Sequence, residues 1–553
     1  MDAATHEVLN QSTPRVDLNL YTGNRALRDA LAFNQPGFDE TRLTALGAEC
    51  GSAEMQAHAR LANTNPPVLH RHDPFGRRID SVEFHPSYHA LLGSALRHGL
   101  HGTPWLRGAG GHVERAAAFM LFTELEPSVL CPVSMTYAVR PALRGNGGVF
   151  ADWGGKLAAT AYDGRFVPPA QKSSLTMGMG MTEKQGGSDV RANTTRAEFD
   201  ASSGDTTWGR TWRLTGHKWF FSAPMCDAHL VLAQAHAGLS CFFLPRWLPD
   251  GQVNAGLRIE RLKDKLGNRA NASAEVEFDG ALAWLVGDEG RGVAQILGMG
   301  ALTRLDCALG TAGLMRQALS LALHHCAERR AFGKRLVEQP LMKNVLADLA
   351  VESEAATALA LRLARAIDRT ENGHDEHEAV MRRLLTPIAK FWICKRGSHF
   401  AQEAMECLGG NGYVEADGEG VMARVYREMP LNSIWEGAGN IMALDLLRAL
   451  RGGAVVEALR REAAAVRGAH AALDAAVDKA AASVDEATDE AGSRALARQF
   501  ALAIQAILLR RHGSDAVFDA FCSSRLAGGG ADVFGRLPAG SNFDAIIARA
   551  MPY

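Results

Sequence analysis

The fold is decided by the runs TWRLTGH (Thr211–His217), HLVLAQAH (His229–His236), SCFFLP (Ser240–Pro245) and AEVEFDG (Ala274–Gly280). Each alternates or clusters apolar and β-branched residues between Gly, Asp, Asn and Pro, the pattern of a strand with one or both faces buried. Together they predict a β domain over 176–289. Upstream, LTALGAEC (Leu43–Cys50), HALLGSALRHGL (His89–Leu100) and ERAAAFMLFTELE (Glu114–Glu126) repeat apolar residues at helical spacing, which predicts a mainly helical domain over 1–175, including an N-terminal extension. Downstream, long Ala- and Leu-rich helices fill 290–450, with breaks at NGHDEH (Asn372–His377), LGGNGYVEADGEG (Leu408–Gly420) and Gly452-Gly453. Residues 451–553 read as an extra helical domain, with helices expected over 455–484 and 493–511. The succession of helices, sheet and helices defines an α+β chain that is mainly α.

At 553 residues, with 47% apolar and 22% charged side chains and a net charge of -2, the chain is a multi-domain globular protein and not a polyelectrolyte. The nine cysteines form no C-x-x-C pair and suggest neither a disulfide framework nor a thiolate zinc site, so a reducing cytoplasm is expected. The N-terminus lacks the layout of a secretory or transit peptide. FALAIQAILL (Phe500–Leu509) is about half the ~20 residues a membrane span needs, so no membrane association is expected. His70, His72, His85, His89, His98 and His101 crowd the first third without a ligand pattern, and no metal is expected. A phosphate loop, a dinucleotide fingerprint and a nucleophile elbow are all missing.

Four segments stand apart. MTEKQGGSDV (Met181–Val190) offers the hydroxyls of Thr182 and Ser188 and a Gly-Gly backbone that a ligand can approach closely; it is also ordinary turn chemistry. GHKWFFSAP (Gly216–Pro224) carries adjacent rings at Trp219, Phe220 and Phe221; alternation along a strand sends neighbours to opposite faces, some toward a planar ligand and some into a core. RRAFGKRLVEQP (Arg329–Pro340) reads as an Arg-rich helix end. In LGGNGYVEADGEGVMARVYREMPLNSIWEGAGNIMALDLLRAL (Leu408–Leu450), Glu436 lies between Trp and Gly-Ala-Gly, which suits a general base with a raised pKa and equally a carboxylate at a helix N-terminus.

In this order and spacing the four segments resemble the acyl-CoA dehydrogenase superfamily of flavoproteins, over roughly Arg115–Leu450. The wording of MTEKQGGSDVRANTT, GHKWFFSAPMCDAHLVLAQ, REMPLNSIWEGAGNIMALDLLRAL and RRIDSVEFHPSYH (Arg77–His89), with the extra C-terminal region, is similar to the AidB branch, linked to the adaptive response to DNA alkylation. The resemblance implies a helical N-terminal domain, a β-barrel-like central domain and a C-terminal four-helix bundle, assembled as a homotetramer with FAD between domains. Carried over position by position, it implies that Met181, Thr182, Gly187 and Ser188 meet the flavin and its pyrophosphate, with Lys218, Trp219, Phe220 and Ser222 along the ring. Arg330, Phe332, Gly409 and Gly410 match positions that reach the FAD of a neighbouring subunit, and Trp435, Gly437 and Asn440 match cofactor positions around the base.

The activity implied is dehydrogenation of an acyl-CoA, isovaleryl-CoA-like and weak, with Glu436 as base. An alternative base position on an earlier helix corresponds to Thr303, which cannot serve. Lys184 stands where the family has Pro, and Phe220-Phe221-Ser222 replaces its Trp-Ile-Thr-like wording, so bulky rings narrow the expected acyl channel. The branch also implies double-stranded DNA binding without sequence preference. Residues 451–553 hold twelve basic and twelve acidic side chains, but the bases are almost all Arg and the acids cluster at 485–490. Arg448, Arg451, Arg510 and Arg511 are the expected phosphate contacts. The alternative is a conventional acyl-CoA dehydrogenase of fatty-acid or branched-chain catabolism, its tail serving assembly.

Overall fold

The computed structural model describes residues 5–202, 204–418, 420–451, 453–484, 490–527 and 533–553. Gly452 and residues 485–489 of the expected acidic cluster lie outside them. Two compact units form, one from 57–111 and 126–306, the other from 5–56, 112–125 and 307–553. Among the described residues no helix is long and apolar enough to cross a membrane.

The first unit is organised by a sheet. A hairpin of β1 (Val68–His72) and β2 (Arg78–Glu83) comes before it, in a stretch expected to be helical. Its strands are polar and carry little local signal; ion pairs of Arg71 and Arg78 to Glu260, at 2.6 and 2.7 Å, fasten it to the main sheet. The sheet strands are β3 (Met177–Gly180), β4 (Arg196–Phe199), β5 (Thr211–Ser222), β6 (Ala228–Ala235), β7 (Gly238–Pro245), β8 (Leu257–Leu262) and β9 (Ser273–Val286). The order β6-β4-β5-β9-β7 closes on itself because β7 pairs with both β9 and β6; β3 adds to β6, and β8 to β9. Closure removes the sheet edges and encloses a core of Leu214, Phe221, Val231, Phe242, Val276 and Phe278. Gly216 is required in β5: its φ is +149°, and a Cβ there would lie 2.6 Å from Thr195 Oγ1. The helix Leu130–Leu143 covers β3, where the Thr136 hydroxyl accepts from Met177 N at 3.0 Å.

The second unit is helical. Helix α1 (Gly292–Glu328) belongs to this unit from Cys307 onward; α2 (Pro340–Gly373) and α3 (Glu376–Cys407) form an antiparallel pair turned at left-handed His374, with Asp375 capping α3. There follow α4 (Gly439–Leu450), α5 (Ala454–Ala464), α6 (Ala471–Ala482) and α7 (Ser493–His512). The single helix expected over 455–484 is thus two, separated where Gly468 takes φ +83°. The helix, sheet, helix order read from the sequence is borne out.

Buried arginines join the region beyond Arg451 to α2 and α3. Arg362 pairs with Glu378 and Glu462 at 2.6 and 2.8 Å, and Glu462 also meets His377 at 3.0 Å and Arg511 at 3.2 Å. Arg525 pairs with Asp348 and, at 3.1 Å, with Glu352, which Arg396 also holds; Arg549 reaches Glu354 at 2.9 Å and Asp29 at 2.6 Å. Removing one member of such a pair strands a buried charge. Arg525→Ala is expected to lower stability by about 3–5 kcal/mol, read as a fall in the urea midpoint; an unchanged midpoint would show that Arg525 does not hold this region.

Candidate functional site

The site elements of the first unit begin with an irregularity in β5. Lys218 pairs with Val276 and Phe221 with Ala274, so Trp219 and Phe220 together face the single residue Glu275. This is a β-bulge, and it cancels the alternation expected from the sequence. Lys218 and Phe221 both turn inward, 1% and 0% exposed, whereas Trp219 and Phe220 both lie on the outer face, Phe220 48% exposed. Ser222 follows, its hydroxyl 3.4 Å from that of Ser273.

Beside this platform runs the loop after β3. Trp219 N donates to Thr182 O at 2.8 Å, and Lys184 N donates to His217 Nε2 at 3.0 Å. Between these two links, Glu183 is fully buried against Lys218, 2.7 Å away, and accepts from the backbone and hydroxyl groups of Thr194 and Thr195. Lys218 Nζ also donates to Leu232 O at 2.8 Å. Burial would raise the Glu183 carboxyl, but Lys218 and the hydrogen bonds outweigh it and hold it at about 2. Burial draws Lys218 down to about 8 despite Glu183. The side chain of Lys218, expected along the ring, thus points into the barrel, where it fixes the strand that presents Trp219 and Phe220. Met181 O accepts from Asn193 Nδ2 at 2.9 Å; Ser188 is exposed, and Gly187 is packed so that a Cβ would lie 2.4 Å from Thr182 Oγ1.

In the second unit Glu436 has φ +58° and Gly437 φ +99°. A left-handed glutamate is uncommon and is held by its surroundings. The turn is pinned by Lys390, a 1% exposed ammonium on α3 that donates to Gly437 O at 2.5 Å, and by Trp435, whose Nε1 donates to Asn432 Oδ1 at 3.0 Å. The half-buried Glu436 precedes the start of α4, and Asn440 lies exposed in its first turn. Arg330 and Phe332 sit on a tight hairpin whose turn residues Phe332 and Gly333 are both left-handed; the Phe332 ring is 97% exposed. Gly409, φ +59°, opens the short helix Gly410–Tyr413. The hairpin and this helix both attach to the N-terminal segment: Asn10 exchanges hydrogen bonds of 2.8 and 2.9 Å with the Arg330 backbone, and Asn411 donates to Gln11 at 3.2 Å.

Of the arginines expected at DNA, Arg448 and Arg451 are exposed. Arg510 makes a surface pair with Asp515 at 2.6 Å, and Arg511 is engaged by Glu462 and stacks over Phe33 at 4.6 Å. His85 caps the helix Pro86–Arg97, and His89 bonds the Tyr162 hydroxyl at 2.7 Å, so the two do not form a pair. Sequence reading missed Glu183, Lys263, Glu275 and Lys390. Glu183 lay inside a quoted motif, but nothing local marks its partner.

A closed barrel following a helical domain and preceding a helical one, with an aromatic strand beside a Gly-Gly-Ser loop, is the architecture of the acyl-CoA dehydrogenases. The chain belongs to that family, in its AidB branch. The AidB adaptive-response N-terminal domain matches residues 10–164, the acyl-CoA dehydrogenase middle domain 178–281 and the C-terminal domain 290–451. The putative acyl-CoA dehydrogenase AidB of Escherichia coli strain K12 is 52% identical over 83% of each chain. Caenorhabditis elegans ACDH-11, solved in complex with C11-CoA, superposes with a TM-score of 0.84 at 26% identity, covering 94% of each chain. The apo form of Bd2924 gives 0.83 at 30% identity, over 92% of this chain and 100% of the other. The protein is a flavin-dependent oxidoreductase whose cofactor is FAD. Its residues fit that group: Trp219 and Phe220 offer a planar surface, and Gly186, where a Cβ would meet nothing, leaves the loop backbone open to an oxygen-rich ligand.

The Glu183–Lys218 pair makes a test of the platform. A carboxyl held below its ordinary 4.5 contributes stability that is complete above about pH 4.5 and is lost as pH falls toward about 2. Glu183→Gln should be about 3–5 kcal/mol less stable at neutral pH and should lose less on acidification between pH 5 and pH 3 than the parent. Parallel stability–pH curves in that window would refute the pairing as the stabilising contact.

Proposed function

We propose that the protein oxidises an acyl-CoA thioester, with Glu436 as the base that removes the α-proton. The supporting observation is the left-handed Glu436, held by the Lys390-pinned peptide of Gly437 and by the Trp435–Asn432 bond. A left-handed backbone held this way fixes the place from which the Glu436 side chain departs before substrate arrives. FAD supplies a hydride acceptor when bound. The chain's own part is to seat that ring along Trp219, Phe220 and Ser222, to meet its phosphates with Met181, Thr182, Gly187 and Ser188, and to direct Glu436 at the Cα proton. Trp435, Gly437 and Asn440 complete the cofactor contacts. Arg330, Phe332, Gly409 and Gly410 serve the FAD of a neighbouring subunit in a homotetramer, a role that suits the 97% exposed Phe332. ACDH-11 in its C11-CoA complex supports an acyl-CoA substrate, and the expected preference here is isovaleryl-CoA-like. Glu436→Gln should retain FAD and lose exchange of the acyl-CoA α-proton with solvent deuterium by at least about 100-fold; exchange at the parental rate would remove Glu436 as the base.

The second part of the proposal is sequence-independent binding of double-stranded DNA, tied to the alkylation response, and it rests on the similarity to AidB. Arg448 and Arg451 carry it best, because Arg510 is paired with Asp515 and Arg511 with Glu462. Replacing Arg448 and Arg451 with Ala should flatten the plot of log affinity against log salt by roughly one unit for each phosphate that is no longer neutralised; an unchanged slope would exclude them. The buried ion pairs of Arg525, together with the engagement of Arg511 by Glu462, favour the rival reading, an acyl-CoA dehydrogenase whose C-terminal region serves assembly alone.

A further inference from the structure

The outer face of the barrel carries a charged pair that the reaction above leaves unused. Lys263, just past β8, lies with Nζ 3.1 Å from the centre of the Trp219 ring and 4.8 Å from that of Phe220. The same ammonium donates to Glu275 Oε1 at 2.7 Å, and Arg261 Nε donates to that oxygen, also at 2.7 Å. Glu275 is the residue that the bulge places opposite both rings. The side chain of Lys263 is 14% exposed and that of Arg261 66%, so water screens the lysine far less. The Lys263 ammonium is thus the nearest of three cations over the indole, Arg261 Cζ and Lys184 Nζ lying 5.8 and 5.9 Å from the ring centre.

We propose that Lys263 is a positioning residue for the flavin, seating Trp219 and placing a fixed positive charge beside the ring system that raises the flavin reduction potential. The proposal rests on the reading that sets the flavin along Trp219 and Phe220. Its physical ground is simple: reduction adds negative charge to the ring, so a nearby cation held in a poorly screened position stabilises the reduced form. Glu275 anchors that cation and opposes it. The two residues should therefore move the potential in opposite directions, which a purely structural role would not do.

The test uses the full-length holoprotein and the flavin midpoint potential, read by equilibration with a reference dye. Lys263→Met should shift the potential to more negative values, Glu275→Gln to more positive values, and Lys263→Arg should stay near the parent. An unchanged potential in Lys263→Met with FAD bound, or shifts of the same sign in Lys263→Met and Glu275→Gln, would overturn the proposal. If Lys263→Met fails to retain FAD, Glu275→Gln decides: a positive shift supports the proposal and any other result ends it. Indole emission separates this from failure of the underlying placement. The parent should show FAD-dependent quenching that Trp219→Phe reduces; equal quenching in both would show that the flavin does not lie along β5, and the proposal would fall with that reading.

Discussion

One buried ion pair governs the cofactor side of this protein. Glu183 and Lys218 meet at 2.7 Å inside the barrel wall, without solvent, with the remaining carboxylate sites taken by Gln185, Thr194 and Thr195. Such a pair gives little net stability over apolar residues of the same volume, but breaking it is costly. Its value lies in geometry. It joins the loop after β3 to the middle of β5 and fixes the inward turn of Lys218, so that the extra residue of the bulge pushes both Trp219 and Phe220 outward. A regular strand would have sent one of those rings into the core, and the planar surface would be halved.

The second unit solves a similar problem with backbone strain. Glu436 takes the left-handed region in a turn that Lys390 holds at Gly437 O and Asn432 at the Trp435 indole. Lys390 lies on α3, which reaches α5 through His377–Glu462 and α2 through Arg362–Glu378 and Arg396–Glu352. The region beyond Arg451 thereby contributes to the same compact unit as the turn that carries Glu436.

Much of this was legible in the sequence, and the rest fails for identifiable reasons. Helical spacing and the clustered apolar runs of β5, β6, β7 and β9 mark the order of helices and sheet, because periodicity reports directly on which faces are buried. The motifs around Met181, Trp219 and Glu436 point to the family because they occur together. The bulge was illegible: adding one residue to a strand leaves its composition unchanged while reversing every facing after it. The Glu183–Lys218 pair spans 35 positions, and no local pattern announces a pairing of that separation. The polar hairpin of β1 and β2 lacks an alternation of its own and exists through Glu260. The helix expected over 455–484 divides at Gly468, a residue whose effect on a helix depends on its context.

The most direct test of the account is the visible spectrum of the FAD-loaded protein during anaerobic addition of isovaleryl-CoA. The account predicts bleaching of the oxidised flavin band as the thioester is dehydrogenated. A yellow protein whose band persists with isovaleryl-CoA and with straight-chain acyl-CoA thioesters would contradict the dehydrogenase chemistry assigned to Glu436.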